Sequence, residues 1–477
     1  MLILGWNGEA TVQATDDARG LDEHDAAAAL ICDGKVIAAI EEERLNRVKH
    51  TTCFPARAIE FCLRQGGADL EEVDAIVTDS TEEHWDLDLA SKTLSLRTLP
   101  TWRHRSARRV VADAFRREFD VDVSDKLRFC KHHLAHLYGT WYPSGFSDAL
   151  VLCIDGYAGS GDRSSGTAAH CQGGEIKVLR HLTEMQSLGA FYAWAMPLLG
   201  YRIFDEYKAM GLAPYGDPAV FEKLFAKLYR LLPEGRFSLT PQQEVFGLMI
   251  KAGLADRARR KGEPFTQEHK DFAAALQVAL ERIVTHVVMH FQQLTKARNL
   301  CLSGGVAHNC SMNGRLLQTK VFERIYVAPA AHDAGNALGS ALSVLHDTAP
   351  LTHSSEIFPH VFFGTDIGDR DSIGTRIVQW QPLVSATVVA DAPATAAHLI
   401  AEGAVIGWVQ GRSEFGPRAL GNGSILADPL RRDPAESVRT TYTRLQSSLG
   451  SIEALGQELF DIWQMRALRL LPSVTHH

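Results

Sequence analysis

Residues 148–182 read DALVLCIDGYAGSGDRSSGTAAHCQGGEIKVLRHL. The apolar run at 148–154 predicts a buried strand, and the glycine-rich residues that follow it predict a turn. The next segment, 166–182, has a strand-like run on each side of the Gly173-Gly174 pair, which indicates a β-hairpin. The unit is therefore a strand with a glycine-containing exit, followed by a hairpin.

The same unit occurs roughly 150 residues earlier in the chain. Residues 1–6, MLILGW, form a short apolar run that ends at Asn7. Residues 26–43, AAAALICDGKVIAAIEEE, then give two strand-like runs about an Asp33-Gly34 turn. A repeated unit of this kind predicts an α/β protein with two related lobes and a cleft between them.

A third region, downstream, combines strands with small-residue helix starts. A long amphipathic helix is predicted at 269–294, followed by strand, turn and helix at 299–316 and again at 324–345. Glycine turns that lead into helix N-termini bind anions well, because unpaired N–H groups and the helix dipole point at the ligand. Two in succession predict a nucleotide cleft; the alternative for SGGVAHN (303–309) and DAGNALGSA (333–341), taken separately, is tight helix–strand packing by small residues.

A change of composition at 346–360, HDTAPLTHSSEIFPH, marks a predicted domain boundary. We therefore expect a metal- and nucleotide-binding domain over residues 1–350 and a linker over residues 351–393. Residues 394–477 form the predicted C-terminal domain.

Charge argues against a nucleic-acid-binding surface. The 477 residues include 49 Lys and Arg against 57 Asp and Glu, a net charge of −8, whereas phosphate neutralisation requires clustered cations. The basic stretch at 102–119 is the exception. We interpret it as the solvated face of a helix, with a docking patch for an anionic partner as the alternative.

Cysteine usage and hydropathy predict a cytoplasmic protein. The eight cysteines contain no C-x-x-C pair and several lie in apolar runs, which is typical of buried thiols in a reducing compartment. The N-terminal residues lack the cationic region of a signal peptide. No apolar run approaches the ~18 residues of a membrane span, so we expect no membrane partner.

A candidate metal site begins with KHHLAHLYG at 131–139. On a helix His132 and His136 share one face, whereas His133 points elsewhere. The spacing alone also occurs by chance, and the glutamate of a zinc-protease H-E-x-x-H is absent. Asp155 at the end of a strand and Asp333 at a helix start complete a two-His, carboxylate set, which suits iron(II) or a similar divalent ion.

Three polar stretches have two interpretations each. His24 and Asp25 precede a buried strand and form either an acid–base pair or a cap. EEERLNRVKH (41–50) is by default a solvated charge run, with Lys49 and His50 facing a ligand as the alternative. DEYKAMGLAPYGDP (205–218) reads as a loop, in which Lys208 is either a phosphate contact or a solvated charge.

The stretch GRSEFGPRALGNGS (411–424) places two arginines on either side of a carboxylate. Arg412 and Arg418 flank Glu414 in a rigid Gly-Pro context. Because the guanidinium fork matches phosphate and carboxylate geometry, both arginines are candidates for bidentate anion recognition.

Assembled, these stretches resemble the O-carbamoyltransferases of the nodulation-protein-U and antibiotic-tailoring family. The matching stretches, in family order over residues 1–429, are HDAAAALICDGKVIAAIEEERLNRVKH, HHLAH, IDGYAG, DEYKAMGLAPYG, SGGVAHNCSMNG, HDAGNALGSA and GRSEFGPRALGN. The resemblance implies an actin/Hsp70/sugar-kinase-like core joined to a YrdC-like C-terminal domain. It further implies that the C-terminal domain makes carbamoyl adenylate from ATP and carbamoyl phosphate, and that the core passes the carbamoyl group to an acceptor hydroxyl.

The resemblance also implies a role for each candidate residue. By position, the metal ligands are His132, His136, Asp155 and Asp333; the nucleotide-binding residues are Asp155, Gly156, Gly304, Gly305, Asn309 and Gly335; the base for the acceptor hydroxyl is His24, with Asp25 beside it; and the adenylate-forming residues are Arg412 and Arg418. The metal is expected to be iron(II), with magnesium accompanying ATP as a further possibility. The acceptor is expected to be a small molecule, such as a sugar or macrocycle of an antibiotic; the oligomeric state is left open.

The tail departs from the family pattern. After ILADP the chain lacks the Arg-Pro-Phe-Ala-Pro-like motif of its relatives, and Gly423 stands where they commonly carry arginine. We therefore expect a truncated YrdC-like domain in which carbamoyl-phosphate activation is impaired. The alternatives to a carbamoyltransferase are a nucleotide- and metal-binding protein that has lost this activation, and a carbohydrate kinase, in which HHLAH would have no role.

Overall fold

The computed structural model of the chain describes residues 1–10, 24–95, 106–156, 164–348, 358–380 and 383–428. Its strands are β1 (Leu2–Asn7), β2 (Ala27–Cys32), β3 (Lys35–Glu41), β4 (Ala75–Thr78), β5 (Leu127–Phe129), β6 (Asp148–Ile154), β7 (Ser164–Gln172), β8 (Glu175–Thr183), β9 (Tyr229–Leu232), β10 (Arg236–Leu239), β11 (Asn299–Ser303), β12 (Arg324–Val327), β13 (Ile406–Val409) and β14 (Gly423–Leu426). Its α-helices are α1 (Glu43–Asn46), α2 (Ala56–Gly66), α3 (Glu82–Ser95), α4 (Ala107–Phe119), α5 (His132–Ser144), α6 (Leu188–Ala193), α7 (Glu206–Leu212), α8 (Glu222–Phe225), α9 (Gln242–Lys251), α10 (Gln267–Thr295), α11 (Cys310–Gln318), α12 (Ala334–Thr348), α13 (Arg370–Gln379) and α14 (Ala392–Ala401).

Two five-stranded sheets repeat one topology. The first has the order β3-β2-β1-β4-β5 and the second β8-β7-β6-β11-β12. In each sheet one hairpin strand pairs antiparallel with the first strand, and the other hairpin strand pairs antiparallel with it in turn. Two later strands add in parallel on the other side of the first strand. The hairpins turn at Asp33-Gly34 and Gly173-Gly174. The repeated unit predicted from the sequence is therefore confirmed.

Helices α5 and α12 lie between the two sheets and form the central layer. They share a core with Ile3 and Ala29 of the first sheet and with Val151 and Ala169 of the second. The two helices approach closely at Gly339, where an added Cβ would come within 1.9 Å of the Ala135 carbonyl oxygen. This contact holds the N-termini of α5 and α12, and hence their polar residues, in one place.

Alternation along the strands gives each sheet a second, outer core. In β1, Leu4 and Trp6 face α2 and α4, opposite to Ile3. The outer face of the second sheet packs against the insertion between β8 and β11, which includes α10. Helix α10 is long and apolar enough to cross a membrane by length and composition, but 67% of its most apolar window is buried inside the protein. Its packing is that of a core helix.

The C-terminal part, 358–428, contributes α13, α14 and the antiparallel pair β13–β14. Helices α13 and α14 have no buried residues, and α13 lies within the expected linker. Phe363 and Phe415, by contrast, are buried in the core between the sheets. Residues 429–477, on which the truncated YrdC-like ending was predicted, lie outside the described residues.

Two expectations about local structure are wrong. The stretch 205–218 is not a loop: α7 spans seven of its residues, because Glu206, Lys208, Ala209 and Met210 suit a helix that ends before Pro214. The run at 41–50 is not a solvated charge run either, since Glu41, Glu42 and Arg44 are all buried. Their partners come from distant parts of the chain and leave no local signal.

The basic stretch near α4 behaves as a solvated helix face over its described residues. Arg116 pairs with Asp113 and Asp122. Arg117 pairs with the neighbouring Glu118. The cations of this face are therefore balanced by local carboxylates; residues 96–105 lie outside the described part.

Candidate functional site

Four side chains from three elements meet between the two lobes. His132 and His136 lie one turn apart at the start of α5. Asp155 directly follows β6, and Asp333 directly precedes α12. One ligand atom from each of the four residues lies within 4.8 Å of the others. The structure thus brings together all four residues that the sequence assigned to a metal.

Both imidazoles face both carboxylates through Nε2. His136 Nε2 is 3.0 Å from Asp155 Oδ2 and 3.4 Å from Asp333 Oδ1. His132 Nε2 is 3.7 Å from Asp155 Oδ2 and 3.6 Å from Asp333 Oδ1. Three of these atoms, on His136, Asp155 and Asp333, are buried without an acceptable hydrogen bond to any described residue. Because buried polar atoms are normally satisfied, this donor set fits a divalent cation.

Asp79, which follows β4, orients His132. Its Oδ2 lies 3.1 Å from His132 Nδ1 and accepts a 2.9 Å hydrogen bond from Asn336 Nδ2. A hydrogen bond at Nδ1 fixes the ring and leaves Nε2 for a metal. The sequence analysis missed Asp79, although an acid at the end of a predicted strand is the same signal that selected Asp155.

Two backbone amides orient Asp155. Its Oδ1 accepts from Gly156 N at 2.8 Å and from Gly305 N at 3.1 Å, which leaves Oδ2 directed at the histidines. Gly304 makes this approach possible: its φ is +81°, and a Cβ there would lie 2.2 Å from the Ile154 carbonyl oxygen. The turn after β11 therefore orients the carboxylate of Asp155, which follows β6.

The charges of the cluster stabilise one another. Burial disfavours the charged form of every member, but the carboxylates of Asp333, Asp155 and Asp79 raise the pKa of His132 well above its ordinary value. In the same way, burial is outweighed by the two imidazoles, and the pKa of Asp155 falls well below its ordinary value. A bound cation would supply the positive charge that protonated imidazoles otherwise supply, so metal binding would release protons.

The predicted acid–base pair lies beside this cluster. His24 Nε2 is 3.7 Å from Asp333 Oδ2, and His24 Nδ1 is 2.8 Å from Asp25 Oδ2. Asp25 also receives His50 Nδ1 at 2.7 Å, and its backbone adopts a left-handed φ of 60°. Burial lowers the pKa of His24, but the carboxylates of Asp333 and Asp25 outweigh it and raise that pKa to about 10.

An aromatic residue that the sequence did not single out covers this pair. Phe204 stacks on the His50 ring, with centroids 4.2 Å apart, and meets the His24 ring edge-on at 4.9 Å. Its φ is +73°, an unusual value for a bulky residue. No sequence pattern marks Phe204, because its role depends on a contact across the cleft.

The residues expected to bind nucleotide fall into two groups. Gly156 and Gly305 lie at the Asp155 carboxylate, as described above. Asn309 instead caps α11 by accepting from Met312 N at 2.9 Å. Gly335 packs against the Ala330 carbonyl oxygen, 1.9 Å from where a Cβ would be. These two contacts fit the packing alternative, and a nucleotide role for Asn309 and Gly335 stays a prediction.

The two arginines of 411–424 contact the C-terminal part and α7. Arg412 Nε donates to Gly364 O at 3.0 Å, and its Nη2 donates to Phe363 O. Arg418 lies over the Tyr207 ring of α7 at 5.4 Å. The carboxylate between them, Glu414, accepts through Oε1 from the backbone amides of Leu420, Asn422 and Gly423. Anion recognition by Arg412 and Arg418 stays a prediction.

Comparison with known families agrees with the motifs. The carbamoyltransferase N-terminus model matches residues 18–342, and the carbamoyltransferase C-terminus model matches residues 397–444. Nodulation protein NolNO of Sinorhizobium fredii is 44% identical over 439 residues, which cover 90% of this chain and 62% of that protein. The chain belongs to the carbamoyltransferase family, so the predicted resemblance is confirmed. It spans about three-fifths of the length of NolNO.

Two further proteins match at lower identity. The 3'-hydroxymethylcephem-O-carbamoyltransferase of Streptomyces clavuligerus is 26% identical over 450 residues, covering 88% of this chain and 75% of that protein. Among solved structures, full-length HypF in the phosphate- and nucleotide-bound form aligns with a TM-score of 0.43 and 12% identity, over 74% of this chain and 56% of that one. The family assignment rests on the sequence matches.

Proposed function

We propose that this protein transfers a carbamoyl group to a hydroxyl of a small molecule, using ATP, carbamoyl phosphate and a divalent metal ion. The observation that carries the proposal is the position of Asp333 in a carbamoyltransferase-family chain. One of its oxygens faces His132 and His136, and the other faces His24. A metal-binding group and a candidate base thus share one carboxylate.

The reaction would proceed in two balanced stages. ATP, carbamoyl phosphate and water give carbamoyl adenylate, pyrophosphate and phosphate. The acceptor oxygen then bonds to the carbonyl carbon, the bond from that carbon to the adenylate oxygen breaks, and AMP leaves while the hydroxyl proton passes to a base. Since AMP departs as an anion, groups that stabilise negative phosphate oxygens lower the barrier.

The chain supplies distinct groups for each task. His132, His136, Asp155 and Asp333 would hold the cation, iron(II) by the family resemblance, and the chemistry of that cation is stabilisation of charge on the phosphate. His24 would take the hydroxyl proton at Nε2, because Asp25 fixes its Nδ1. A cation balancing Asp333 and Asp155 would offset two of the three carboxylates that raise the pKa of His24, which favours the neutral imidazole that can accept a proton.

The acceptor class and the location in the cell belong to the same proposal. The hydroxyl would be presented in the space beside His24 and Phe204, by a small molecule rather than by nucleic acid or a membrane. A reducing cytoplasm suits the eight free cysteines, of which Cys53, Cys62, Cys130, Cys153, Cys171 and Cys301 are buried. A sugar or macrocycle of an antibiotic pathway is one such acceptor.

The test separates activation from metal binding. The purified chain is incubated anaerobically with iron(II), ATP and carbamoyl phosphate, and AMP is followed by chromatography; cobalt(II) absorption reports metal binding. We expect AMP formation by the native chain, which would overturn the impaired activation expected from the tail, and loss of the cobalt(II) spectrum in His132→Ala. His398→Ala, at an exposed histidine paired with Glu402, is the matched control and should behave as the native chain.

The alternative function predicts another result. The second candidate is a nucleotide- and metal-binding protein that has lost carbamoyl-phosphate activation, and Gly423, which stands where the family is expected to carry arginine, favours it. Tight ATP and cobalt(II) binding without any AMP would establish that candidate and reject the transferase. Phosphorylation of an acceptor from ATP, with no carbamoyl product, would instead indicate a carbohydrate kinase.

A further inference from the structure

A buried ion pair near the N-terminus forms hydrogen bonds with the backbone of Gly416 in the C-terminal part. Glu41 Oε1 accepts from Gly416 N at 2.8 Å, and Arg44 Nη2 donates to Gly416 O at 2.9 Å. Arg44 Nε lies 3.6 Å from Glu41 Oε2, and the two side chains are only 9% and 2% exposed. We call Glu41, Arg44 and Gly416 the Gly416 clamp. Glu41 and Arg44 thus form hydrogen bonds with both the N–H and the carbonyl of Gly416, which lies more than 370 residues later in the sequence.

The other side of Gly416 presses on the second lobe. Its φ is +124°, and an added Cβ would lie 2.5 Å from the Pro329 carbonyl oxygen. Pro329 lies in the turn between β12 and α12 that carries Asp333. The neighbouring Phe415 is buried and donates its backbone N–H to Val361 O at 2.8 Å. Segment 411–424 is therefore wedged between α1 and the turn that presents a candidate metal ligand.

Helix α1 also holds the candidate base. Glu43 Oε2 accepts from His50 N at 2.9 Å, and His50 bonds the same Asp25 that orients His24. The backbone of Glu42 donates to Ala26 O at 2.7 Å, one residue beyond Asp25. One four-residue helix thus touches the C-terminal segment through Arg44 and the transfer site through Glu43.

Stability alone is a weak reason for such a pair. Taking two charges out of water costs several kcal/mol each, and apolar replacements of buried pairs are often neutral. The paired arginine and glutamate, however, specify one position of the backbone at Gly416. Both hydrogen bonds form only when the N–H and the carbonyl of Gly416 face the pair at the same time. The clamp is suited to fixing position.

We infer that Glu41 and Arg44 are positioning residues that seal segment 411–424 against the transfer site, so that activated carbamoyl reaches His24 without escaping to solvent. This inference rests on the proposed function. Helix α1 would then couple the position of segment 411–424 to carbamoyl transfer. That position would decide whether the carbamoyl group of the adenylate is transferred to the acceptor or the adenylate is released to solvent. Neither residue needs to touch the metal-binding cluster for this role.

The test uses two variants that open the clamp from opposite sides. Arg44→Met removes the guanidinium, and Gly416→Ala forces a Cβ against Pro329. Hydrogen exchange followed by mass spectrometry should show exchange in 411–424 and 46–53 faster by about tenfold, since breaking a buried pair costs at least the ~1.4 kcal/mol of such a change. Cobalt(II) binding should stay intact in Arg44→Met, which does not press on the Asp333 turn, and the double variant should add little to the exchange of either single variant.

A chemical trap measures escape directly. Hydroxylamine converts released carbamoyl adenylate to hydroxyurea and AMP, and we expect the trapped share of activated carbamoyl to rise about tenfold in both variants. Arg108→Met is the matched control, since Arg108 pairs with Glu82 and donates to the Ser124 and Leu127 carbonyls away from Gly416. It should leave trapping at the native level.

The outcomes are distinguishable. Unchanged exchange in 411–424, or faster exchange with native trapping, would overturn the coupling role. A native chain that forms no AMP would reject the proposed function, and with it the sealing role, whatever the exchange shows. If Arg44→Met does not fold, Gly416→Ala with Glu41→Gln decides the matter, because glutamine still accepts from Gly416 N but lacks the charge that pairs with Arg44.

Discussion

The two sheets have the same strand order, yet their central strands end in different chemistry. In the first sheet β1 ends at Asn7, whose Nδ2 donates to Asp25 O at 3.1 Å and so holds the turn that carries His24. In the second sheet β6 is followed by Asp155, whose carboxylate faces His132 and His136. The end of β1 thus positions the candidate base, and the equivalent end of β6 supplies a candidate metal ligand.

The next strands of the two sheets differ in the same way. Asp79 after β4 orients a histidine through its side chain, whereas the turn after β11 orients Asp155 through the backbone amide of Gly305. Topology fixed where polar groups could meet, since both sheets end at one cleft. The individual residues decide whether the orienting group is a side-chain carboxylate, as at Asp79, or a backbone amide, as at Gly305. The predictions below test that division of labour.

The largest effect is expected from removing the charge at the second sheet. Asp155→Asn keeps an oxygen for Gly156 N and Gly305 N but loses a carboxylate that faces both imidazoles. We expect cobalt(II) affinity to fall on the order of 1000-fold, about 4 kcal/mol. Asn7→Ala at the equivalent strand end should change that affinity by less than about threefold, since the described hydrogen bonds of Asn7 go to the backbone carbonyls of His24 and Asp25. Equal losses, measured by absorption titration, would show that the division is wrong.

The side chain that accepts from the start of α2 in the first lobe is titratable, whereas the one that caps α11 in the second lobe is neutral. Buried Glu42 accepts from Ala58 N at the start of α2, whereas Asn309 caps α11. Burial raises the pKa of Glu42 from 4.5 to about 7, so the folded state holds a proton that the unfolded state loses. This contribution to stability is full below pH 4.5 and falls by about 3 kcal/mol as pH rises to about 7.

Glu42→Gln should abolish that part of the pH dependence and make the protein more stable than the native chain at pH 8. Urea unfolding of both proteins at pH 5 and pH 8 measures the difference. Glu60→Gln, at an exposed position of the same helix, is the control and should follow the native curve. A Glu42→Gln variant that loses equal stability at both pH values would mean that Glu42 is charged when folded.

The smallest effect is expected one step away from the metal-binding cluster. Asp79→Asn leaves an oxygen near His132 Nδ1 but removes the charge that fixes the ring, so cobalt(II) affinity should drop about tenfold. Ser303→Ala, at the equivalent end of β11, should have no measurable effect because the backbone orients Asp155 there. If Asp79→Asn and Ser303→Ala weaken cobalt(II) binding equally, both sheets orient the metal-binding cluster through side chains and the proposed difference between them is wrong.

Local patterns carried the prediction wherever the cause of a structure is local. The hairpins at Asp33-Gly34 and Gly173-Gly174 followed from turn chemistry, and α10 followed from its periodicity. The pairing of His132 with His136 followed from helix geometry, and Asp155 and Asp333 from their places at element ends. These signals act within a few residues, so a single sequence contains them.

Prediction failed where the partner is remote. Glu41 and Arg44 were interpreted as solvated because charged runs usually are, yet their partner Gly416 lies at the other end of the chain. The backbone carbonyls of 363–364 that accept from Arg412 lie far from it in sequence, so no local pattern marked that contact. Phe204 was overlooked because its contact with His50 crosses the cleft.

The sequence by itself determined the duplicated α/β plan, the family and the four residues that meet as metal-ligand candidates. Spacing, turn residues and motifs specify local geometry, and those are properties of short segments. Only the tertiary structure decided that one carboxylate, Asp333, serves both the histidine pair and His24, and that α1 grips the C-terminal segment. Such contacts depend on how two lobes pack, and packing is a property of the whole chain rather than of any stretch of it.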